Sequence, residues 1–144
     1  MPSVLAYHRP QSLDEAQKLA SEKNAVLIGG GTLVIPQVLA NPSREAEIID
    51  LHSIGLAGLT SDSDGSETSI KIGAMSRLSD LINNDEIPLV LRELSTKELP
   101  STLRTQATIG GTIAERSSES ILLSGFLALN AEIQIHEKNW MSLS

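Results

Sequence analysis

Two short runs hold the residue types that could do chemistry in this chain. Gly29-Gly30-Gly31-Thr32 follows the apolar Val26-Leu27-Ile28, and Gly110-Gly111-Thr112 follows Ala107-Thr108-Ile109. Glycine admits positive φ and lets a backbone come close to a ligand. Where such a turn opens a helix, several N–H groups lack partners and the helix dipole favours an anion. The chemistry implied is phosphate binding, and two such turns in one small chain suggest two walls of one cleft. Taken alone, the first run is better served by a tight strand-to-helix turn capped by Thr32; the pair of runs, each with a threonine after its glycines, brings the binding reading level with it. Neither run is G-x-G-x-x-G with an acidic residue downstream, neither is followed by Gly-Lys-Ser/Thr, and no G-x-S-x-G elbow occurs.

The flanking elements must position these runs. Val4 to Tyr7 reads as a strand ended by His8-Arg9-Pro10. Ser12 and Glu15 form a capping box, and Leu13, Ala16, Leu19 and Ala20 share one face of a helix over 12–22. Ala25–Ile28 is a continuous apolar run that predicts a buried strand parallel to the first. Thr32 is expected to cap a helix from Leu33 to Ala40, and Asn41-Pro42 ends it. A third strand from Ala46 to Leu51 completes a small parallel sheet, and a composition shift at His52-Ser53 marks a subdomain boundary.

The second part reads as a hairpin, then helices, then a strand. Gly55 to Thr60 leads into one strand, Ser61 to Glu67 is a polar tip and Thr68 to Gly73 returns. The acidic tip lacks the spacing and flanking helices of a calcium loop. Helices are expected from Ser76 or Arg77 to Asn83, from Pro88 to Leu99, and from Ser120 to Asn130 with Leu123, Leu127 and either Ile121 or Phe126 inward. Ala131 to His136 alternates as a strand, and Trp140 to Ser144 is too short to close anything by itself. The fold class is α+β: an N-terminal parallel βαβ subdomain over 1–52, a larger subdomain with a mixed or antiparallel sheet and helices over 53–144, and the cleft between them.

Composition narrows the function further. Of 144 residues 40% are hydrophobic, but Tyr7, Phe126 and Trp140 are the only aromatics, so base-stacking platforms are essentially absent. The net charge of -7 argues against nucleic acid and against anionic membranes as partners. With no cysteine there is no disulfide, thiolate metal site or cysteine-ligated cluster, and His8, His52 and His136 have no metal-ligand spacing. No basic segment leads into an apolar run at the N-terminus, and no stretch approaches the roughly 18 apolar residues of a membrane helix, so a cytoplasmic protein is the default.

The residues also carry a resemblance. Tyr7-His8-Arg9-Pro10 with Ser12-Leu13-Asp14-Glu15-Ala16, Ile28 to Pro36, Ile72-Gly73-Ala74-Met75, Leu103 to Ala114, and Leu127 to Ala131 are similar, in order, to the FAD-binding domain of the medium, flavoprotein subunit of molybdenum hydroxylases such as xanthine and carbon monoxide dehydrogenases. The resemblance implies FAD as cofactor. Gly29, Gly30, Gly31, Thr32 and Leu33 would wrap its pyrophosphate, and Thr108, Ile109, Gly110, Gly111 and Thr112 would form the other wall. It also implies an iron–sulfur subunit and a molybdenum cofactor subunit as partners, with this chain passing electrons through FAD and supplying no catalytic acid or base. A valine at Gly30 or Gly111 should then abolish flavin binding and leave the fold largely intact.

The departures are specific. Leu33 stands where the family often has Asp or Ser, Thr105 and Thr112 where Asn is frequent, and Ile121 where an acidic residue is frequent, with Glu119 near enough to substitute. Arg104 could meet phosphate or a partner, although a surface salt bridge is the simpler role. The resemblance also implies a further C-terminal domain beyond Trp140, and its absence is expected either in a natural minimal protein or in a fragment. Two rival readings remain: an interaction module that kept the fold and lost tight FAD binding, and a pocket for another anionic nucleotide.

Overall fold

The computed structural model describes residues 3–41, 43, 45–64, 67–135 and 140–143. Three parallel strands open the chain: β1 (Ser3–His8), β2 (Ala25–Ile28) and β3 (Glu45–Asp50), linked by helices α1 (Leu13–Ala20) and α2 (Val34–Ala40). Their spatial order is β1-β3-β2, so the last strand in sequence is the central one. Ala46, Ile48, Ile49 and Asp50 are accordingly buried. β2 is an edge strand with Leu27 exposed, which corrects the expectation of a buried strand. Its apolar run covers a small core of Val38, Ala46 and Ile48 on one face only.

α1 begins as its sequence dictates. The Ser12 hydroxyl accepts the Glu15 N–H at 3.2 Å. The Glu15 carboxylate takes the N–H of Gln11 at 2.8 Å, one residue earlier than the usual reciprocal bond of a capping box.

The remaining chain forms the antiparallel hairpin β4 (Leu59–Asp64) and β5 (Glu67–Ile72), then helices α3 (Leu78–Ile82), α4 (Leu89–Glu98), α5 (Ser101–Arg104), α6 (Ile109–Glu115) and α7 (Ile121–Ala128), and a last antiparallel pair, β6 (Glu132–Gln134) with β7 (Trp140–Ser142). The first hairpin runs further into its polar tip than expected, with Lys71 bridging to Asp62 across the strands at 2.9 Å. Gly65 and Ser66 at that tip, Pro42 and His136 lie outside the described residues. The chain end pairs as a strand after all, Ile133 opposite Met141. Among the described residues the second half therefore holds two separate hairpins and no larger sheet. Its core is Leu78, Leu81, Ile87, Leu91, Ala107, Ile109, Leu122 and Phe126.

α7 turns Phe126 inward, one of the two alternatives its sequence offers, but the expected Leu127 is not on the buried face. Leu122, Gly125 and Phe126 are buried, whereas Ile121 and Leu127 are exposed. The reason is a two-point tie. The Glu98 carboxylate at the end of α4 accepts the Ser120 hydroxyl at 2.6 Å and the Leu122 N–H at 2.8 Å. Ser120 in turn caps the helix by accepting the Leu123 N–H at 3.0 Å. Gly125 lets Leu94 close in, since a Cβ there would sit 2.4 Å from Leu94 Cδ1.

A second polar tie sits at the end of β3, beside the point where β2 leaves the sheet. Asp50, opposite Ile28, is 5% exposed. It accepts the Tyr7 hydroxyl at 2.5 Å, the His52 N–H at 3.0 Å and His52 Nδ1 at 2.6 Å, with Arg9 Nε at 3.4 Å. Burial alone would raise its pKa, but the bonds from Tyr7 and His52 outweigh that and hold it below the ordinary carboxylate value. The same bond pushes the Tyr7 hydroxyl above its usual range.

Two outcomes follow from these ties. Glu98→Ala should lower stability to urea by about 1–3 kcal/mol, because it frees a cap and leaves two donors without an acceptor. The Asp50 contribution is linked to pH. Its folded pKa lies below the ordinary 3.8, so the contribution is fully present above that value and is lost as pH falls through the folded pKa. Acid titration of stability should show a steeper loss below that point in the parent than in Asp50→Asn.

Candidate functional site

The first glycine run connects β2 to α2. Gly31 has φ +69°, a left-handed turn that a side chain would strain. Gly30 is required for a different reason: a Cβ there would lie 1.9 Å from the Gln106 carbonyl oxygen. A Cβ on Gly29 would lie 2.7 Å from Thr108 Oγ1. The two runs thus pack directly on one another. Gly30→Val cannot leave that packing in place, so the expectation that it would spare the fold is corrected.

The N–H groups of Gly29, Gly30, Gly31, Thr32 and Leu33 have no acceptor among the described residues. The half-buried Thr32 hydroxyl has no partner there either, and it does not cap α2; the capping position is Leu33, without a side-chain bond. A short helix beginning one residue later than expected leaves Thr32 in the turn.

The second run is built the opposite way. Ile109 N–H donates to Ser76 O at 2.9 Å, Gly110 N–H to Ala74 O at 2.7 Å and Thr112 N–H to Thr108 O at 3.0 Å. Thr108 caps α6 by accepting the Gly111 N–H at 3.2 Å, and the Thr112 hydroxyl donates to Thr108 O at 3.2 Å. The backbone donors from Ile109 to Thr112 are all engaged, and the Thr108 N–H has no acceptor among the described residues. The Thr108 hydroxyl, which only accepts among the described residues, still has its proton to give.

Between the runs is a cleft of about 440 Å³, within the range of small-molecule pockets, roughly 300–1,000 Å³. Gly29, Gly30, Gly31, Thr32, Leu33, Thr108, Gly111 and Thr112 line it, so most of the residues singled out in sequence do meet. Ile109, Gly110 and Glu119 are not among its lining. Ile109 points into the core, Gly110 is pressed against Ala74, and the exposed Glu119 gives its N–H to Ser117 Oγ at 3.2 Å. Arg104 forms no ion pair among the described residues; it donates to the Thr96 carbonyl, which corrects the expected salt bridge.

Sequence reasoning missed Leu27, Gln37, Leu99, Ala114 and Glu115 in the cleft wall. The signal for Glu115 was available. Thr108, Gly111, Thr112 and Glu115 follow i, i+3, i+4, i+7, one face of a helix.

The donor set fits a dinucleotide cofactor: unsatisfied backbone N–H groups and a free threonine hydroxyl for phosphate, beside an apolar wall of Leu27, Leu33, Val34 and Leu99 for a ring. A family model described as the FAD binding domain in molybdopterin dehydrogenase matches residues 3–143, and the chain belongs to that family. FAD is therefore the indicated cofactor. The chain is 38% identical over 130 residues to the uncharacterized protein YgfM of Escherichia coli K12, covering 88% of this chain and 48% of that one. It is 30% identical over 137 residues to the xanthine dehydrogenase FAD-binding subunit of Escherichia coli O157:H7, covering 91% and 46%. The chain spans about half the length of these curated relatives.

Among solved structures, reconstituted CO dehydrogenase from Oligotropha carboxidovorans superposes with a TM-score of 0.83 at 27% identity, over 99% of this chain and 52% of that one. Quinoline 2-oxidoreductase from Pseudomonas putida 86 shares the fold, with a TM-score of 0.86 at 20% identity over 99% and 52%.

The loop contacts set an ordering of substitutions. Gly30→Ala should cost about 1–3 kcal/mol in urea unfolding by overpacking against backbone. Gly111→Ala meets only Thr108 Oγ1, at 3.0 Å, and gains helix propensity, so its change should stay within about 1 kcal/mol.

Proposed function

We propose that this chain binds FAD in the cleft between its glycine runs and serves as the flavin-bearing part of a molybdenum hydroxylase-like oxidoreductase. The observation that carries the reading is the set of free N–H groups from Gly29 to Leu33 in the wall of a cleft, in a chain of the FAD-binding family. These N–H groups and the Thr32 hydroxyl would hold the diphosphate. Thr108, Gly111 and Thr112 would form the facing wall, with the Thr108 hydroxyl as a further donor. Leu33, standing where an acidic or hydroxyl residue is frequent in the resembling family, would offer an apolar surface to a ring. When bound, FAD supplies the redox chemistry, and the protein supplies binding and orientation. Ile109 and Gly110 would act from behind the wall, by fixing α6, and Glu119 would stay outside it.

In this reading the partners are an iron–sulfur subunit and a molybdenum cofactor subunit, from which electrons would reach the flavin and pass to an acceptor. Support comes from the relatives, whose names describe FAD-binding subunits and whole CO dehydrogenase. The setting would be the cytoplasm; no described helix is long and apolar enough to cross a membrane. Two subdomains meeting near residue 52 are supported by two separate cores, one on β2, α2 and β3 and one on the later elements.

The rival is a module of the same fold that no longer holds FAD tightly. It is favoured by the absence of any lysine or arginine among the described residues of the cleft lining. A visible spectrum with FAD titration separates the two. The purified protein should show bound flavin, or bind FAD with a dissociation constant well below about 100 μM. A colourless protein that does not bind at that concentration would replace the FAD reading by the rival.

A further inference from the structure

Glu115 carries the one ionisable side chain among the described residues that line the cleft. It is exposed and has no hydrogen-bond or ion-pair partner among the described residues. It ends α6, where the negative pole of the helix disfavours a carboxylate, and it is followed by Arg116 in a left-handed conformation at φ 53°. Neither capping nor charge pairing accounts for a carboxylate there. Its side lies one turn beyond Gly111 on the face that lines the cleft, and Gln37 contributes an amide from α2.

The cleft is therefore polarised. One part offers free N–H donors suited to phosphate; another offers a carboxylate, which only accepts hydrogen bonds and repels phosphate. A ligand that satisfies both must carry an anion and, separately, a group rich in hydroxyl donors. A sugar diol is such a group, because two adjacent hydroxyls can each donate to one carboxylate.

Resting on the FAD reading, we propose that Glu115 is a specificity-determining residue that accepts the free ribose hydroxyls of the bound nucleotide and rejects nucleotides phosphorylated on that ribose. Gln37 assists as a neutral donor and acceptor.

The test is a calorimetric titration of the parent, Glu115→Gln and Glu115→Ala with FAD, ADP and 2′-phospho-ADP. The parent should bind ADP at least about tenfold more tightly than 2′-phospho-ADP. Glu115→Gln should narrow that ratio towards unity by removing the repulsion, and Glu115→Ala should weaken FAD by about tenfold through lost charge-assisted bonds. An unchanged ratio in Glu115→Gln, with FAD still bound, overturns the role of Glu115 and leaves the FAD reading standing. Failure of the parent to bind FAD and ADP overturns both.

Discussion

The backbone-to-backbone contact of the two glycine runs is the constraint on which the rest of this structure depends. Gly30 comes so close to the Gln106 carbonyl that no side chain fits between them, and Gly29 faces the Thr108 hydroxyl in the same way. That contact joins the parallel sheet and its small core to the helical part and its larger one. It also sets the width of the cleft. Glycine at position 30 serves the protein's own packing before it serves any ligand, whereas Gly31 supplies the left-handed turn that lets the chain enter α2.

The two runs look alike in sequence and are electrically different. The second is tied down by Ser76, Ala74 and Thr108, so its donors from Ile109 to Thr112 are already spent. The first has no such neighbours and keeps its donors open. This asymmetry follows from position: Ile109 and Gly110 lie against the segment 74–76 in the core, while Gly29 to Leu33 cross the open end of a sheet. With no cation among the described residues of the lining, attraction for a phosphate would come from oriented backbone dipoles and not from net charge. The polar tie at Asp50, beside the end of β2, helps to hold the strand ends from which the first run departs.

Local rules were legible where the chemistry is local. The cap at Ser12, the hairpin before Gly73 and the parallel βαβ beginning could be read from side-chain types alone. Long-range choices could not. Ala25–Ile28 is apolar because one side covers a core and Leu27 lines the cleft, a pattern that a fully buried strand also produces. The face of α7 is set by Glu98, twenty-two residues before Ser120, and the pairing of β7 by strand β6, neither visible in its own segment. Helix α6 was hidden because its first turn holds two glycines, yet its stripe from Thr108 to Glu115 was present. The cofactor itself came from the resemblance; the residues alone led only to an anion.

The most direct test of the central claim is an amide-resolved NMR titration of the ¹⁵N-labelled protein with FAD, read together with amide hydrogen exchange. Exchange in the free protein should be fast at Gly29 to Leu33 and slow at Ile109 to Thr112. FAD should then shift and protect the first set while leaving the protection of the second nearly unchanged. Early protection of the first set without ligand, or ligand-induced protection confined to Ile109 to Thr112, would contradict a cradle built from the first run and braced by the second.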